Sequence, residues 1–184
     1  MKRRVVVTGL GALTPLGNTA EESWAAAIAG KSGIGPISHF DATNFPSRIA
    51  GELKNFDPIQ FVDKKEIRRY DNFAIYALAA AQMAMEDSGL SITPDIAERV
   101  GVIIGSAIGG VQTFEEEVRA LSQSGVRKIS PFGVPAILAN LASGHVSIRF
   151  GAKGPINCTV TACASGTSAI GDCYKTIAYG EADA

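Results

Sequence analysis

Short β-branched runs alternate with longer stretches of helical periodicity along the chain, a rhythm that predicts a layered α/β architecture. Val5-Val6-Val7, closed by Gly9, is apolar on both faces and predicts a buried central strand. Thr19 with Glu22 three residues later forms a capping-box pattern, opening a helix through Trp24 and Ile28 that stops at Gly30. Residues 31–60 carry Pro36, Pro46 and Pro58 with little periodicity and predict an extended surface excursion. From Lys64 to Ser88 the pattern is strongly helical, rich in alanine and closed by Gly89. Arg99 to Gly105 is a second buried strand, breaking into the glycine-rich Gly105-Ser106-Ala107-Ile108-Gly109-Gly110 and then an acidic helix at Glu115-Glu116-Glu117. Ser130-Pro131 opens a helix expected to run to Phe150 with Gly144 inside it. Ile156 to Val160 is a third strand, delivering the chain to Cys163, and Ala164 to Tyr179 is helical again up to Gly180. The last residues, Glu181-Ala182-Asp183-Ala184, read as the lead-in to a further strand, so a truncated chain is expected. No internal repeat or low-complexity tract interrupts this order.

Composition narrows the function classes. With 46% hydrophobic and 19% charged residues over 184 positions, one packed domain is expected and disorder is not. A net charge of −1 provides no global steering toward nucleic acid or an anionic membrane, so an electrostatic partner must be met by a local patch. The longest apolar stretch, Phe73 to Met85, is 13 residues and contains Gln82, too short for a bilayer span. The basic opening Met1-Lys2-Arg3-Arg4 is followed too soon by Thr8, Gly9, Gly11 and Pro15 to leave a signal-peptide core. Three cysteines at no metal-like spacing fit reduced thiols and a cytoplasmic protein, and neither His39 nor His145 joins a ligand pattern. Gly9-x-Gly11 after a strand invites a dinucleotide site, but Thr14 and Pro15 stand where that fingerprint needs its third glycine.

Cys163 is the candidate for chemistry. It sits between a strand and a helix, where unpaired backbone N–H groups and the positive end of the helix dipole favour a thiolate. Its small neighbours Ala162, Ala164, Ser165 and Gly166 let a substrate carbonyl approach and leave the Cys163 N–H free to meet a developing oxyanion. A free cysteine also serves as a small buried hydrophobe, and this is how Cys158, within the strand, and Cys173, within the following helix, are read.

The run Cys158-Thr159-Val160-Thr161-Ala162-Cys163-Ala164-Ser165-Gly166 resembles the active-site signature of the β-ketoacyl-acyl carrier protein synthases of the thiolase superfamily. The resemblance extends in order and spacing to Arg4–Gly11, Thr14–Gly17, Asp71–Leu90, Gly101–Gly110 and Ser130–Pro155, and so to nearly the whole chain. It implies a thiolase-like α-β-α layered fold, of which residues 1–184 supply the first half, in a homodimer. It also implies that Cys163 takes an acyl group from acyl carrier protein, after which malonyl-ACP loses carbon dioxide and its carbanion attacks the acyl-enzyme. The family's two catalytic histidines and lysine lie in its second half and map to no residue here, and His145 is taken as structural. No metal or organic cofactor is implied, the substrate arriving on the phosphopantetheine of the carrier protein.

The resemblance adds roles to residues that are otherwise unremarked. Lys65, Arg68 and Arg69, with Arg127 and Lys128, match positions that dock the acidic carrier protein, although a basic run is also an ordinary solvated helix end. Ile108 resembles the pocket residue that limits acyl chain length, with an ordinary core isoleucine as the alternative. Gly133, after Phe132, replaces a bulkier aromatic found in some relatives and implies a wider acyl tunnel. A polyketide-type ketosynthase and a non-catalytic thiolase-fold half-domain are the rival readings.

Overall fold

The computed structural model describes residues 3–184. The first helix, α1 (Ala20–Ile28), starts where the capping pattern places it, with the Thr19 hydroxyl accepting from the Glu22 N–H at 3.1 Å. The return bond differs from a capping box: the Glu22 carboxylate accepts from the Asn18 N–H at 2.8 Å. The excursion that follows is more ordered than expected. β1 (Ile34–Pro36) and β2 (Ile49–Gly51) pair antiparallel, Ile34 opposite Gly51 and Pro36 opposite Ile49. Three-residue strands that include Gly35 and Pro36 are too short to show a two-residue period, and the hairpin escapes a reading by periodicity.

The long helix expected over 64–88 is two helices, α2 (Lys64–Ile67) and α3 (Asn72–Ser88). Asp71 causes the break. Its buried carboxylate caps α3 by accepting from the Phe73 N–H at 3.3 Å, and it also accepts from the N–H and hydroxyl of Thr113 at 2.9 and 2.8 Å. Gly89, at φ +66°, ends α3 in the left-handed conformation. Ile75 and Leu78 of α3 form the core with Val62 and Val146, flanked by Phe56, Phe61, Val102 and Ile104.

β3 (Val102–Gly105) leads through the glycine loop to α4 (Val111–Ser124), then to α5 (Gly133–Ile137) and α6 (Leu141–Phe150). The single helix expected from Ser130 to Phe150 is therefore interrupted at residues 138–140. The Gly110 N–H takes the Ile137 carbonyl at 2.9 Å, which anchors the end of α5 to the glycine loop. α6 crosses back to β4 (Ile156–Thr159), which pairs parallel with β3 from Val102 opposite Ile156 to Gly105 opposite Thr159. Side-chain alternation along β3 then sets the layers. Val102 and Ile104 join the core under α3 and α6, while Ile103 and Gly105 turn toward α7 (Ser165–Ala178). The expected α-β-α layering is thus present.

Val5–Val7, expected as a central strand, forms no ladder among the described residues, and Val7 is 78% exposed. Valine favours the extended chain, but a strand also needs a partner at ladder distance. An apolar cavity of about 590 Å³ lies between Thr8–Gly9, β3, α3 and α7 instead. At the chain's other end, the Asp183 N–H donates to the Arg99 carbonyl at 2.7 Å and the Gly101 N–H to the Ala184 carbonyl at 2.9 Å. Residues 183–184 are therefore hydrogen-bonded alongside the approach to β3.

Candidate active site

β3 and β4 end side by side, so the segments leaving them emerge at the same, carboxyl end of the parallel pair, the end at which open α/β sheets place their ligands. From β4 the chain makes one 3-10 turn, Ala162–Ala164, before α7 begins. Ala162 stands at φ +50°, in the left-handed region that costs a non-glycine residue about 1–2 kcal/mol. Cys163 follows it and is exposed, on a turn that leads into the positive end of a 14-residue helix. Among the described residues the Cys163 N–H has no acceptor, so it is available to a bound carbonyl.

The turn is held from below. The Ser165 hydroxyl accepts from the Thr161 N–H at 2.9 Å and donates to the Ala162 carbonyl at 2.6 Å, spanning the bend that presents Cys163. Ser165 is 3% exposed, so it is not one of the small residues that open the approach, as its size alone suggests. Gly166 does keep open space around it. A side chain at Gly105 would overlap the backbone of Ser165 and Gly166, so glycine at the end of β3 lets the sheet support the turn directly.

The other two thiols are different in kind. Cys158 and Cys173 are half-buried, and burial pushes the Cys173 thiol upward. No group of three His, Cys, Asp or Glu side chains that could hold a metal ion occurs among the described residues. His39 lies 4.0 Å from Glu52, and His145 stacks near Tyr70 with ring centroids 4.1 Å apart.

Such a site, a thiol at a strained strand-to-helix turn with a free N–H beside it, suits acyl transfer. The family model described as "Beta-ketoacyl synthase, N-terminal domain" matches residues 2–184. The chain belongs to the β-ketoacyl synthase family. It is 51% identical over 183 residues to the 3-oxoacyl-[acyl-carrier-protein] synthase 2 of Coxiella burnetii and 48% identical to that of a Synechocystis strain. Each alignment covers 100% of this chain and 44% of the relative, so the chain spans less than half the length of the curated synthases it matches. The solved ishigamide ketosynthase/chain length factor superposes with a TM-score of 0.88 at 30% identity over 99% of this chain and 46% of that one. A β-ketoacyl synthase from Burkholderia phymatum gives 0.83 at 32% over 99% and 45%. The fold is accordingly the thiolase-like one that the sequence implies.

The remaining predicted residues fall in two places. Ile108, in the loop after β3, is 72% exposed at the sheet end that also carries the Cys163 turn. Lys65 lies in α2, Arg68 and Arg69 in the break before α3, and Arg127 and Lys128 in a 3-10 turn, Val126–Lys128; all five are exposed. Arg69 stacks over the Phe132 ring at 4.6 Å, and with Arg68 it lines a groove of about 270 Å³ whose lining does not include the Cys163 turn. Glu116 and Glu117 share that groove, so it is mixed in sign, not purely basic. Glu117 accepts from the Ser130 N–H at 2.9 Å, and a Cβ at Gly133 would lie 3.2 Å from its carboxyl carbon, so a side chain there would need Glu117 to shift slightly. Ser165, Asp71 and Glu117 have no sequence signature of their role, because each acts on backbone brought to it by the fold.

Proposed function

We propose that the protein carrying this chain is a condensing enzyme of fatty acid elongation. The Cys163 sulfur attacks an acyl thioester and displaces the carrier's thiol, giving an acyl-enzyme. Malonyl-ACP then loses carbon dioxide, and the resulting carbanion attacks the acyl carbonyl, releasing Cys163 and forming 3-oxoacyl-ACP. The observation that carries this reading is the exposed Cys163 with its unoccupied N–H, in a chain about half identical to 3-oxoacyl-ACP synthases 2 throughout. Acyl acceptance is the step these residues account for, since the resemblance places the family's catalytic histidines in its second half.

Acyl carrier protein is the proposed partner, docking through Lys65, Arg68, Arg69, Arg127 and Lys128. A solved type II polyketide ketosynthase in complex with its acyl-carrier protein, 29% identical with a TM-score of 0.83, supports a carrier-protein partner and also makes a polyketide ketosynthase the second reading. A cytoplasmic setting is supported by three free thiols, and a homodimer is proposed from the family resemblance. No helix among the described residues is long and apolar enough to cross a membrane. Intact-mass analysis after incubation with acyl-ACP tests the central claim. One acyl adduct is expected on the protein and none on Cys163→Ala; an adduct that survives the substitution overturns the assignment. Turnover of acyl-ACPs of increasing length separates the fatty acid reading from the polyketide one.

A further inference from the structure

We propose that Ser165 is the positioning residue of the nucleophile turn: its hydroxyl holds Ala162 in the left-handed conformation and thereby aims the Cys163 N–H and sulfur at one point. The inference rests on Cys163 as the acyl acceptor and extends the part Ser165 plays from holding the turn to placing the reacting groups. Ser165 is 3% exposed, so its hydroxyl has no access to water and must be satisfied within the fold. Both of its hydrogen bonds go to the backbone on either side of the bend, from the Thr161 N–H and to the Ala162 carbonyl. A buried hydroxyl bonded to both the 160–161 peptide and the 162–163 peptide, which carries the Cys163 N–H, does more than fill space. It fixes the orientation of both flanking peptides.

Ala162 makes that constraint necessary. An alanine gains nothing from φ +50°, and unrestrained it would relax to negative φ, rotating the next peptide and with it the Cys163 N–H. The Ser165 bonds oppose that rotation from the helix side. The close approach of β3 at Gly105 to the Ser165–Gly166 backbone prevents the helix start from moving instead. Thr161 is tied once more, through its hydroxyl to that of Ser168 at 2.9 Å, and the Ala162 carbonyl also accepts from the Ser165 N–H, so the side-chain bonds add to a backbone one at the same joint. Acyl transfer needs donor and nucleophile placed together, since an oxyanion donor acts only where the charge develops. Alkylation of an exposed thiol has no such requirement. The two reactions therefore report different properties of the same residue.

The test compares the protein with Ser165→Ala, Ala162→Gly and the double variant. Acyl transfer is measured from an S-acyl N-acetylcysteamine thioester, and iodoacetamide labelling is followed separately at each cysteine by mass spectrometry. In Ser165→Ala, acyl transfer to Cys163 is expected to slow about tenfold, as both orienting side-chain hydrogen bonds are lost. Iodoacetamide labelling of Cys163 should stay within about twofold, because reagent access to an exposed thiol is unchanged. Glycine adopts positive φ without strain, so the loss should shrink several-fold when Ser165→Ala is made on the Ala162→Gly background. Unchanged acyl transfer in Ser165→Ala, or an equal loss on both backgrounds, overturns the proposal. So does a loss accompanied by fast labelling of the half-buried Cys158 and Cys173, which would mark general loosening. Persistence of the acyl adduct in Cys163→Ala would instead defeat the assignment of Cys163, and the two failures read out separately.

Discussion

His145 stands half-buried with its ring against Tyr70, and burial pushes its pKa below the ordinary imidazole value, partly opposed by the charge of Glu66. Below the ordinary pKa of about 6.5 the unfolded chain takes up a proton that the folded chain refuses, so folding stability falls as the pH drops through that window. Urea midpoints should be level from about pH 8 to 7.5 and decline toward pH 5.5. His145→Gln, which keeps a polar side chain but cannot charge, should flatten that decline; an identical slope in the variant would show that another group carries it. The same residue marks how far the sequence is legible at this scale. Its place beside Gly144 within a helical pattern suggests a structural residue, but its contact with Tyr70 exists only because α6 packs on α3 and the segment before it. Cys163 is legible for the opposite reason: its surroundings are sequence neighbours, and a local turn determines its exposure. Ser165 is local too, yet nothing in its spacing distinguishes a hydroxyl that bonds backbone from one that faces solvent.

Helix boundaries depend on which backbone groups find partners, and Asp71 settles two of them at once. Its 7% exposed carboxylate caps α3 through the Phe73 N–H and takes both the N–H and hydroxyl of Thr113 in the first turn of α4. Asp71→Ala should lower stability by about 2–3 kcal/mol, since it removes a cap and strands a half-buried N–H of Thr113. Asp71→Asn retains one acceptor oxygen and should lose less than half of that, read as the shift in urea midpoint at constant slope. Equal losses would mean that negative charge, not the hydrogen bonds, is what the site requires. This junction was not visible in advance. Asp71-Asn72-Phe73-Ala74 has no Glu or Gln at the third helical position, and the alanine-rich periodicity runs through the break. Helices set by local caps, α1 at Thr19 and the end of α3 at Gly89, could be read directly. The division between α5 and α6 could not, because it depends on Gly110 reaching Ile137, 27 positions away, from another loop. The β1–β2 hairpin and the unpaired Val5–Val7 fail in complementary ways, one a ladder without a pattern and the other a pattern without a ladder.

At the scale of the whole molecule the two ends of the described chain meet at one carboxylate. Asp183 accepts from Arg99 Nε at 3.0 Å and Nη2 at 2.9 Å and is also bonded by Arg3, while Arg99 Nη2 reaches the Gly180 carbonyl at 2.9 Å. These groups secure residues 180–184 against the start of β3, the strand whose far end supports the Cys163 turn through Gly105. The two arginines hold the Asp183 carboxyl well below the usual carboxylate range, Arg99 having the larger effect. A depressed folded pKa means a contribution that is fully present above the unfolded value of about 3.9 and lost as the pH falls below it. The side chains are nonetheless half exposed, 54% for Asp183 and 50% for Arg3, so the attraction operates through solvent and ions screen it. Asp183→Asn should therefore lower the thermal midpoint modestly at pH 7 and low ionic strength. The difference from the parent should narrow in about 1 M salt, where the screening length is about 3 Å, and narrow again near pH 3. Melting curves over a grid of pH and salt distinguish this from a packing role. A difference that persists unchanged at pH 3 and in high salt would show that Asp183 acts through its shape and hydrogen-bond geometry, with its charge contributing nothing to closure of the ends.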